Sequence, residues 1–233
     1  AGIKDFKVDK VIPADPVFNY RNKMEFTFSK NRWILDDEPD KVKSDFALGM
    51  HIPKRWDKIL DINTCYLMPE VGSKIINFVR DLAKKSKLKP YDQRSHIGFL
   101  RYLALRYGEN TKELMVNIVT SYEDLDTLVP FVQSLVDEFP EVTSVVNNIN
   151  TRKADVSFGE REILLFGKPI LNEKLKELNF QISANSFFQT NSFMAEKLYD
   201  VILDSASLNG DEIVYDLYCG AGSISLFLAK KAK

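Results

Sequence analysis

The strongest constraint on the fold lies at the C-terminal end of this 233-residue chain. Residues 212–217 are mostly β-branched, aliphatic and aromatic, and they predict a short strand. Gly220 and Gly222 then predict a tight loop, and Ser223 opens an apolar helical segment. This order marks the entry to a doubly wound sheet, and a parallel strand is stable only between neighbours and under helices. We therefore expect residues 184–233 to be the truncated start of a Rossmann-like α/β domain, and the protein to continue further.

The glycine loop has the form of a ligand-binding turn. Gly220 and Gly222 have no Cβ, so the backbone can approach a ligand closely, and the following helix directs free amides toward it. Asp216 lies at the end of the predicted strand. A dinucleotide fingerprint would place a third glycine near position 225, where Ser225 stands. A plain strand-to-helix turn without a ligand is the other alternative.

Residues 1–183 carry a different pattern, in which polar and apolar residues alternate along several short segments. This period of two is typical of half-buried strands, whereas two longer segments have apolar residues at helical spacing. The predicted strands cover residues 23–29, 46–51, 100–107, 113–120, 142–150, 154–158 and 163–166, and the predicted helices cover residues 71–83 and about 125–139. Gly108 and Asn110 separate two of the strands, which predicts an antiparallel hairpin. Residues 1–183 therefore predict an α+β domain with a mainly antiparallel sheet.

Capping residues predict where two helices begin. Ser121 and Asp124 bound a segment that resembles a capping box, in which a hydroxyl and a carboxylate satisfy free amides of the first turn. Thr190 or Asn191 can cap a later helix, whose apolar face includes Phe193.

The charge is distributed unevenly along the chain. Residues 1–108 hold 21 Lys and Arg against 14 Asp and Glu, a net charge of +7, and residues 109–233 hold 11 against 19, a net charge of −8. A basic half joined to an acidic half indicates that one half faces a polyanion. The alternative is that lysines such as Lys84 and Lys85 only solvate a helix end.

Cysteine usage and hydropathy indicate the compartment. The two cysteines, Cys65 and Cys219, are too few for a disulfide framework and favour a reducing environment. No apolar run approaches the roughly 20 residues of a membrane span, and residues 1–15 carry charges that argue against a signal peptide. We expect a cytoplasmic protein without a membrane partner.

Four segments resemble motifs of one enzyme family, the RNA 5-methyluridine (uracil-C5) methyltransferases, which are class I enzymes dependent on S-adenosylmethionine. Residues 216–223, Asp-Leu-Tyr-Cys-Gly-Ala-Gly-Ser, resemble motif I of this family. Residues 187–191 resemble its F-F-Q-x-N segment, and residues 20–23 resemble its Y-R-N-K segment. Arg101 and Arg106 resemble its central R-x-x-x-x-R strand. The motifs keep the family's order, and the chain resembles a fragment of such an enzyme.

The resemblance implies which residues contact the cofactor S-adenosylmethionine. In the family, the glutamine of F-F-Q and the aromatic residue of motif I contact it, and these correspond to Gln189 and Tyr218. Gly220 and Ser223 complete the implied set within the loop. Some members carry Asn where this chain has Ser223, so that contact has a shorter reach.

The resemblance also concerns both cysteines. Many members hold a [4Fe–4S] cluster with four cysteines, and Cys65 matches the fourth of these. One thiolate cannot hold a cluster, so a cluster would require further cysteines in the intact protein, and a buried free cysteine is the alternative. Cys219 lies inside the cofactor loop and does not match the family's nucleophile. The nucleophile and the Glu base come from later strands, so we assign no catalytic residue here.

The resemblance implies an RNA partner, and 23S ribosomal RNA is favoured over transfer RNA. Arginines and lysines among aromatic residues suit unstacked RNA loops. Arg21, Lys23 and Arg101 are the first candidates for RNA contacts, although a structural salt bridge is an equal alternative for each. We expect a fragment of an enzyme that methylates uridine through a Cys–uracil adduct. A class I methyltransferase acting on a protein or small molecule, and a non-catalytic RNA-binding module, are the alternatives.

Overall fold

A computed structural model of the chain describes residues 10–39, 43, 45–154 and 156–233. A seven-stranded mixed sheet forms its centre. The strands are β1 (Lys23–Ser29), β2 (Ala47–Ile52), β3 (Arg55–Asp61), β4 (Leu100–Tyr107), β5 (Leu114–Thr120), β6 (Val142–Ile149) and β7 (Arg161–Gly167). They lie in the order β3-β2-β1-β4-β5-β6-β7. All neighbours are antiparallel except β5 and β6, which confirms the prediction of a mainly antiparallel sheet.

Two helices, α1 (Glu70–Lys85) and α2 (Leu125–Glu138), pack against one face of this sheet. Helix α2 connects β5 to β6, because parallel neighbours need a crossover connection rather than a tight turn. Helix α1 buries Ile75, Ile76 and Val79 completely. Each such side chain contributes roughly 1.5–3 kcal/mol when it leaves water, so this face holds the main core.

The start of α2 differs from the prediction. Asp124 is the N-cap, and its carboxylate accepts a hydrogen bond from the Thr127 amide at 3.0 Å. Ser121 was predicted to cap this helix, but its hydroxyl donates to the Gly98 carbonyl instead. The predicted role of Asp124 is therefore confirmed, whereas that of Ser121 was wrong, because a tertiary partner engages the serine that the local sequence assigned to the helix.

The opposite face of the sheet carries a second layer. A hairpin of β8 (Ile170–Leu175) and β9 (Leu178–Ser183) and the helix α3 (Ser192–Ala206) pack against it. Asn191 caps α3 by accepting from the Met194 amide, as one of the two predicted caps. The second core joins sheet residues to this layer: Met115, Val146, Leu171, Leu175, Phe180, Ile182, Ala184, Phe188, Ala195, Tyr199 and Phe227.

Two predicted strands are wrong. The described residues of 154–158 form no strand, and instead lie in a loop that β4 holds by hydrogen bonds. Residues 212–217 also form no strand, although the short helix α4 (Ser223–Leu228) follows them as predicted. The physical reason is that this segment pairs with no strand in the described part of the chain. Tyr215 and Leu217 consequently remain 83% and 79% exposed.

Within the described ranges, no helix is both long and apolar enough to cross a bilayer.

Candidate cofactor and RNA-facing site

The motif I loop forms a tight turn with three residues in the left-handed region. The φ angles of Tyr218, Gly220 and Gly222 are +67°, +56° and +68°. The Gly222 amide donates to the Cys219 carbonyl at 2.8 Å and closes the turn. A Cβ added at either glycine would meet nothing within 4 Å, so the glycines are needed for their backbone angles. Tyr218 adopts such an angle with a side chain, which costs about 1–3 kcal/mol of strain.

Helix α3 holds the loop in place. The Tyr199 hydroxyl donates to the Ser223 hydroxyl oxygen at 2.9 Å, and its ring lies 4.8 Å from that of Phe227. The Ser225 hydroxyl donates to the Asp216 carboxylate across the turn. The loop is therefore closed from within and anchored from α3, while the side chain of Tyr218 is fully exposed.

The segment that contains Gln189 is fixed by two distant motifs. The side-chain amide of Asn22 donates to the Gln189 carbonyl and to the Ser192 hydroxyl oxygen, both at 2.9 Å. The backbone of Arg21 forms an isolated antiparallel bridge with Asn191. The Y-R-N-K and F-F-Q-x-N motifs are therefore in contact. Gln189 is half-buried. Among the described residues, none forms a hydrogen bond with its side-chain amide.

Arg106, on β4, supports the backbone just before the F-F-Q-x-N segment. Its guanidinium donates to the carbonyls of Ala184, at 3.2 Å, and Ser186. Burial lowers the pKa of Arg106 to about 10, while the charge of Glu25 opposes this shift. Arg106 therefore stays protonated at neutral pH and keeps its donors. The sequence identified this residue within a motif but gave no signal of the two carbonyls it supports.

A cavity of about 350 Å³ connects the two predicted cofactor segments. Phe187 and Phe188 line it from the F-F-Q side, and Ala221 and Leu226 line it from the glycine loop and α4. An apolar wall facing a glycine turn fits one side of a nucleoside-containing cofactor. The residues present thus offer S-adenosylmethionine one apolar wall. The lining of this cavity includes Phe188 and Ala221, chain neighbours of Gln189 and Gly220, but it includes none of the four predicted contacts, Gln189, Tyr218, Gly220 and Ser223.

Arg21 and Lys23 line a second cavity, of about 520 Å³, together with Phe187 and Met50. The Arg21 Nε donates to the Lys23 carbonyl at 3.0 Å, and the Lys23 ammonium lies 2.5 Å from the Glu25 carboxylate. Burial opposes ionisation of Glu25, but its hydrogen bonds, chiefly with Lys23, outweigh this effect and lower its pKa. Both cations are half-buried, so part of each faces the cavity.

Arg101 occupies a different environment from the other two RNA candidates. Its side chain is 2% exposed, and its guanidinium donates to the carbonyls of Asn150, Arg152 and Ala154 at 2.6–2.7 Å. The guanidinium also lies 4.3 Å from the centroid of the Tyr91 ring. This geometry assigns Arg101 to the support of a loop, and an RNA contact by its guanidinium would require these bonds to break.

Cys65 lies in the main core beside α1. It is buried, and its amide donates to the Ser73 hydroxyl oxygen at 2.9 Å. Cys219 is exposed. Over the described ranges, no three His, Cys, Asp or Glu side chains are grouped so that they could hold a metal ion. The thiols of this chain do not fit a [4Fe–4S] cluster, which needs four ligands.

Comparisons with known proteins give relatives of one kind. The chain is 43% identical over its whole length to an uncharacterized RNA methyltransferase of Chlorobaculum tepidum, and covers 49% of that protein. It is 37% identical over 97% of its length to an uncharacterized RNA methyltransferase of Porphyromonas gingivalis, and covers 50% of that protein. The chain thus spans about half the length of the curated relatives that it matches. No protein-family model matches it.

A solved structure shares the fold. The chain is 29% identical to the tRNA (uracil-54, C5)-methyltransferase of Pyrococcus abyssi in complex with S-adenosyl-L-homocysteine, with a TM-score of 0.74. The match covers 95% of this chain and 49% of that enzyme.

Proposed function

The chain belongs to the RNA uracil-C5 methyltransferase family, and we propose that it forms the RNA-facing half and part of the cofactor site of such an enzyme. The observation that carries this proposal is the contact between Asn22 and the Gln189 carbonyl. It connects the basic part of the chain to the segment that lines a cavity with the glycine loop.

We propose that residues 1–183 are a central RNA-facing domain, and that residues 184–233 begin the methyltransferase domain. The second core supports close packing of the two parts, because Phe180 and Ile182 lie on one side of this boundary and Phe188 and Ala195 on the other. We further propose that residues 212–217 become a strand when a neighbouring strand pairs with them, since their apolar side chains are exposed here.

The cofactor is proposed to be S-adenosylmethionine, which supplies an electrophilic methyl group when bound. The side chain of Gln189 has both a donor and an acceptor for a zwitterionic methionine end. Tyr218 offers an aromatic surface with a polar tip, and Gly220 allows close approach of the backbone. The Ser223 hydroxyl accepts from Tyr199, which leaves its own proton to donate.

The substrate is proposed to be a uridine of ribosomal or transfer RNA, methylated at C5. Carbon C5 of uracil becomes nucleophilic enough only after a thiolate adds to C6, and a base must later remove the C5 proton. We propose that residues outside this chain supply both groups. Cys219 is not proposed as this thiolate, because it lies inside the turn that the Gly222 amide closes. Cluster ligation by Cys65 in the longer protein stays a prediction.

The test is methyl transfer by the full-length protein expressed from its gene. It would be incubated with labelled S-adenosylmethionine and unmodified total RNA, followed by nucleoside analysis. We expect the label in 5-methyluridine, and mapping of the labelled fragment then separates ribosomal from transfer RNA. Label on protein or small molecules, with RNA left unlabelled, would refute the proposal in favour of another class I methyltransferase.

A further inference from the structure

Two tryptophans and two arginines form a connected group at the β3 edge of the sheet. The Arg94 guanidinium carbon lies 5.4 Å from the ring centroid of Trp56, and that of Arg55 lies 5.7 Å from the ring centroid of Trp33. Asp57 joins the two pairs, since its carboxylate lies 3.1 Å from the Arg55 Nε and 3.3 Å from an Arg94 Nη. We call these five residues the edge ladder.

Backbone pairing sets the position of both tryptophans. Trp56 lies near the start of β3, directly after the turn that joins β2 to β3. Trp33 lies on the outer side of β3, where its amide donates to the Ile59 carbonyl at 2.7 Å. The Ile59 amide in turn donates to the Asn31 carbonyl at 3.1 Å. The rings are therefore held by the sheet and do not hang from a free loop.

The edge ladder is open to solvent although it carries large apolar groups. Trp56 is 61% exposed, and the side chains of Arg55 and Arg94 are 48% and 65% exposed. The hydrogen bond from Arg55 lowers the pKa of Asp57, so this carboxylate stays ionised and keeps both guanidinium groups in place. Trp33 is half-buried, so Trp56 is the exposed ring of the group. An exposed ring with a guanidinium fixed beside it can accept a further flat group.

The edge ladder lies at one end of a continuous run of hollows on the sheet. A hollow of about 580 Å³ is lined by His51, Lys54 and Trp56. It shares His51 with a second hollow of about 550 Å³, and that hollow shares Met50 with the cavity beside Lys23. An extended ligand bound near the cofactor segment could therefore follow the surface to the edge ladder.

We propose that the edge ladder is a stacking platform for unpaired bases of the RNA substrate. Bases stack on aromatic rings and on guanidinium planes, and cationic side chains beside them attract the phosphates. Lys54 and Lys58 flank the ladder on β3 and its turn. This inference rests on the proposed function, because it assigns a surface to the RNA that the enzyme would methylate.

Two observations favour RNA over a protein partner. Residues 1–108 carry a net charge of +7, and the edge ladder lies within this basic part of the chain. The outer edge of β3 is already bonded by Asn31 and Trp33 around Ile59, so an added strand would find these positions taken. Protein binding by strand addition is therefore disfavoured at this edge.

Tryptophan fluorescence gives a direct test, since Trp33 and Trp56 are the only two tryptophans of the chain. The 233-residue chain would be titrated at low salt with a single-stranded oligouridine, with binding measured in parallel by the anisotropy of end-labelled RNA. We expect binding to quench the emission of the wild-type chain and of Trp33→Phe, which reports Trp56 alone. Binding without quenching would overturn the proposal, and so would the absence of binding.

Matched substitutions separate stacking from general charge. Trp56→Ala is expected to weaken RNA binding about 5- to 160-fold, the range expected for one lost base stack. Arg94→Lys keeps the charge but loses the planar group, so affinity should fall while its salt dependence is unchanged. Tyr122→Ala and Arg161→Ala, exposed residues near the other end of the sheet, are the controls. Equal losses for controls and ladder variants would overturn the proposal.

Assays of the full-length protein distinguish the two proposals. If the wild type methylates RNA, Trp56→Ala should raise the KM for RNA and leave kcat and the KM for S-adenosylmethionine unchanged. An unchanged KM for RNA would overturn the edge ladder alone and leave the enzymatic proposal intact. A wild-type protein that binds RNA with quenching but never methylates it would overturn the proposed function alone.

Discussion

The side-chain amide of Asn22 lies 2.9 Å from the carbonyl oxygen of Gln189, a residue 167 positions later in the chain. The same amide donates to the Ser192 hydroxyl oxygen, which itself donates to the Glu173 carboxylate at 2.8 Å. This chain of bonds connects the start of β1, the F-F-Q-x-N segment and the β8–β9 hairpin. Because the amide is buried, the position of Gln189 depends on it.

Asn22→Asp tests this dependence with almost no change of shape. The substitution replaces the donor with a carboxylate facing a carbonyl oxygen, so the free energy of unfolding should fall by about 1–3 kcal/mol or more. In the full-length protein, S-adenosylhomocysteine should also bind more weakly. Chemical denaturation and calorimetry measure the two effects. Gln133→Glu, at an exposed position on α2 where the side-chain amide donates to Asp137, is the control and should change neither quantity much.

Gly222 tests whether the backbone angle at the cofactor turn matters by itself. Its φ is +68°, and a Cβ there would contact nothing. Gly222→Val should therefore cost about 1–2 kcal/mol of local strain and weaken S-adenosylhomocysteine binding, because β-branched residues avoid this region. Gly222→Asn should be tolerated better, since Asn adopts left-handed angles more readily. Equal affinities for the two variants in the full-length protein would contradict this account.

Asp92 should give the fold an acid-sensitive contribution. The hydrogen bond from Lys30, followed by that from the Ser95 hydroxyl, holds the pKa of Asp92 well below its ordinary value. Since the folded pKa lies below the unfolded one, the stabilisation is present above about pH 4 and is lost as the pH falls toward the folded pKa.

The measurement is the unfolding free energy of the wild type and of Asp92→Asn between pH 7 and pH 2. The difference between them should be largest near neutral pH and should shrink below pH 4. Asp81→Asn, at an exposed position on α1, serves as the matched control. A wild-type advantage that stays constant down to pH 2 would show that the Asp92 contacts do not depend on its charge.

The two thiols should differ strongly in reactivity. Cys219 is exposed in the cofactor turn, whereas Cys65 is buried in the main core. A thiol reagent should modify one cysteine in the native chain and both after denaturation. Peptide mapping should identify Cys219 as the native site, and rapid labelling of Cys65 in the native chain would contradict its placement.

The sequence predicted those elements in which local pattern and tertiary environment agree. Strand β1 has the predicted bounds, and the β4–β5 hairpin forms as its alternation indicated. The sequence analysis missed hairpin β8–β9. Three successive polar residues, Asn172, Glu173 and Lys174, interrupt the alternation of polar and apolar residues that would have predicted β8. Glu173 is 1% exposed and accepts hydrogen bonds from the amides of Glu109 and Asn110, which no local pattern reveals.

The candidate site, too, could be predicted only in part from the sequence. The motifs located Gln189 and the glycine loop, and the structure brings their segments to one cavity. The role of Arg101 could not be inferred from its charge, because three carbonyls of a distant loop satisfy its guanidinium. Residues 212–217 have the composition of a strand, but a strand also needs a neighbour with which to form hydrogen bonds.

Release of tritium from RNA that carries [5-³H]uridine tests directly whether uracil C5 is the atom that is methylated. Methylation at C5 must expel that hydrogen, whereas methylation of any other atom leaves it in place. We predict that the full-length protein, with S-adenosylmethionine present, releases tritium into water in proportion to the methyl groups transferred. Methyl transfer to RNA without release of tritium would contradict the assignment to uracil C5.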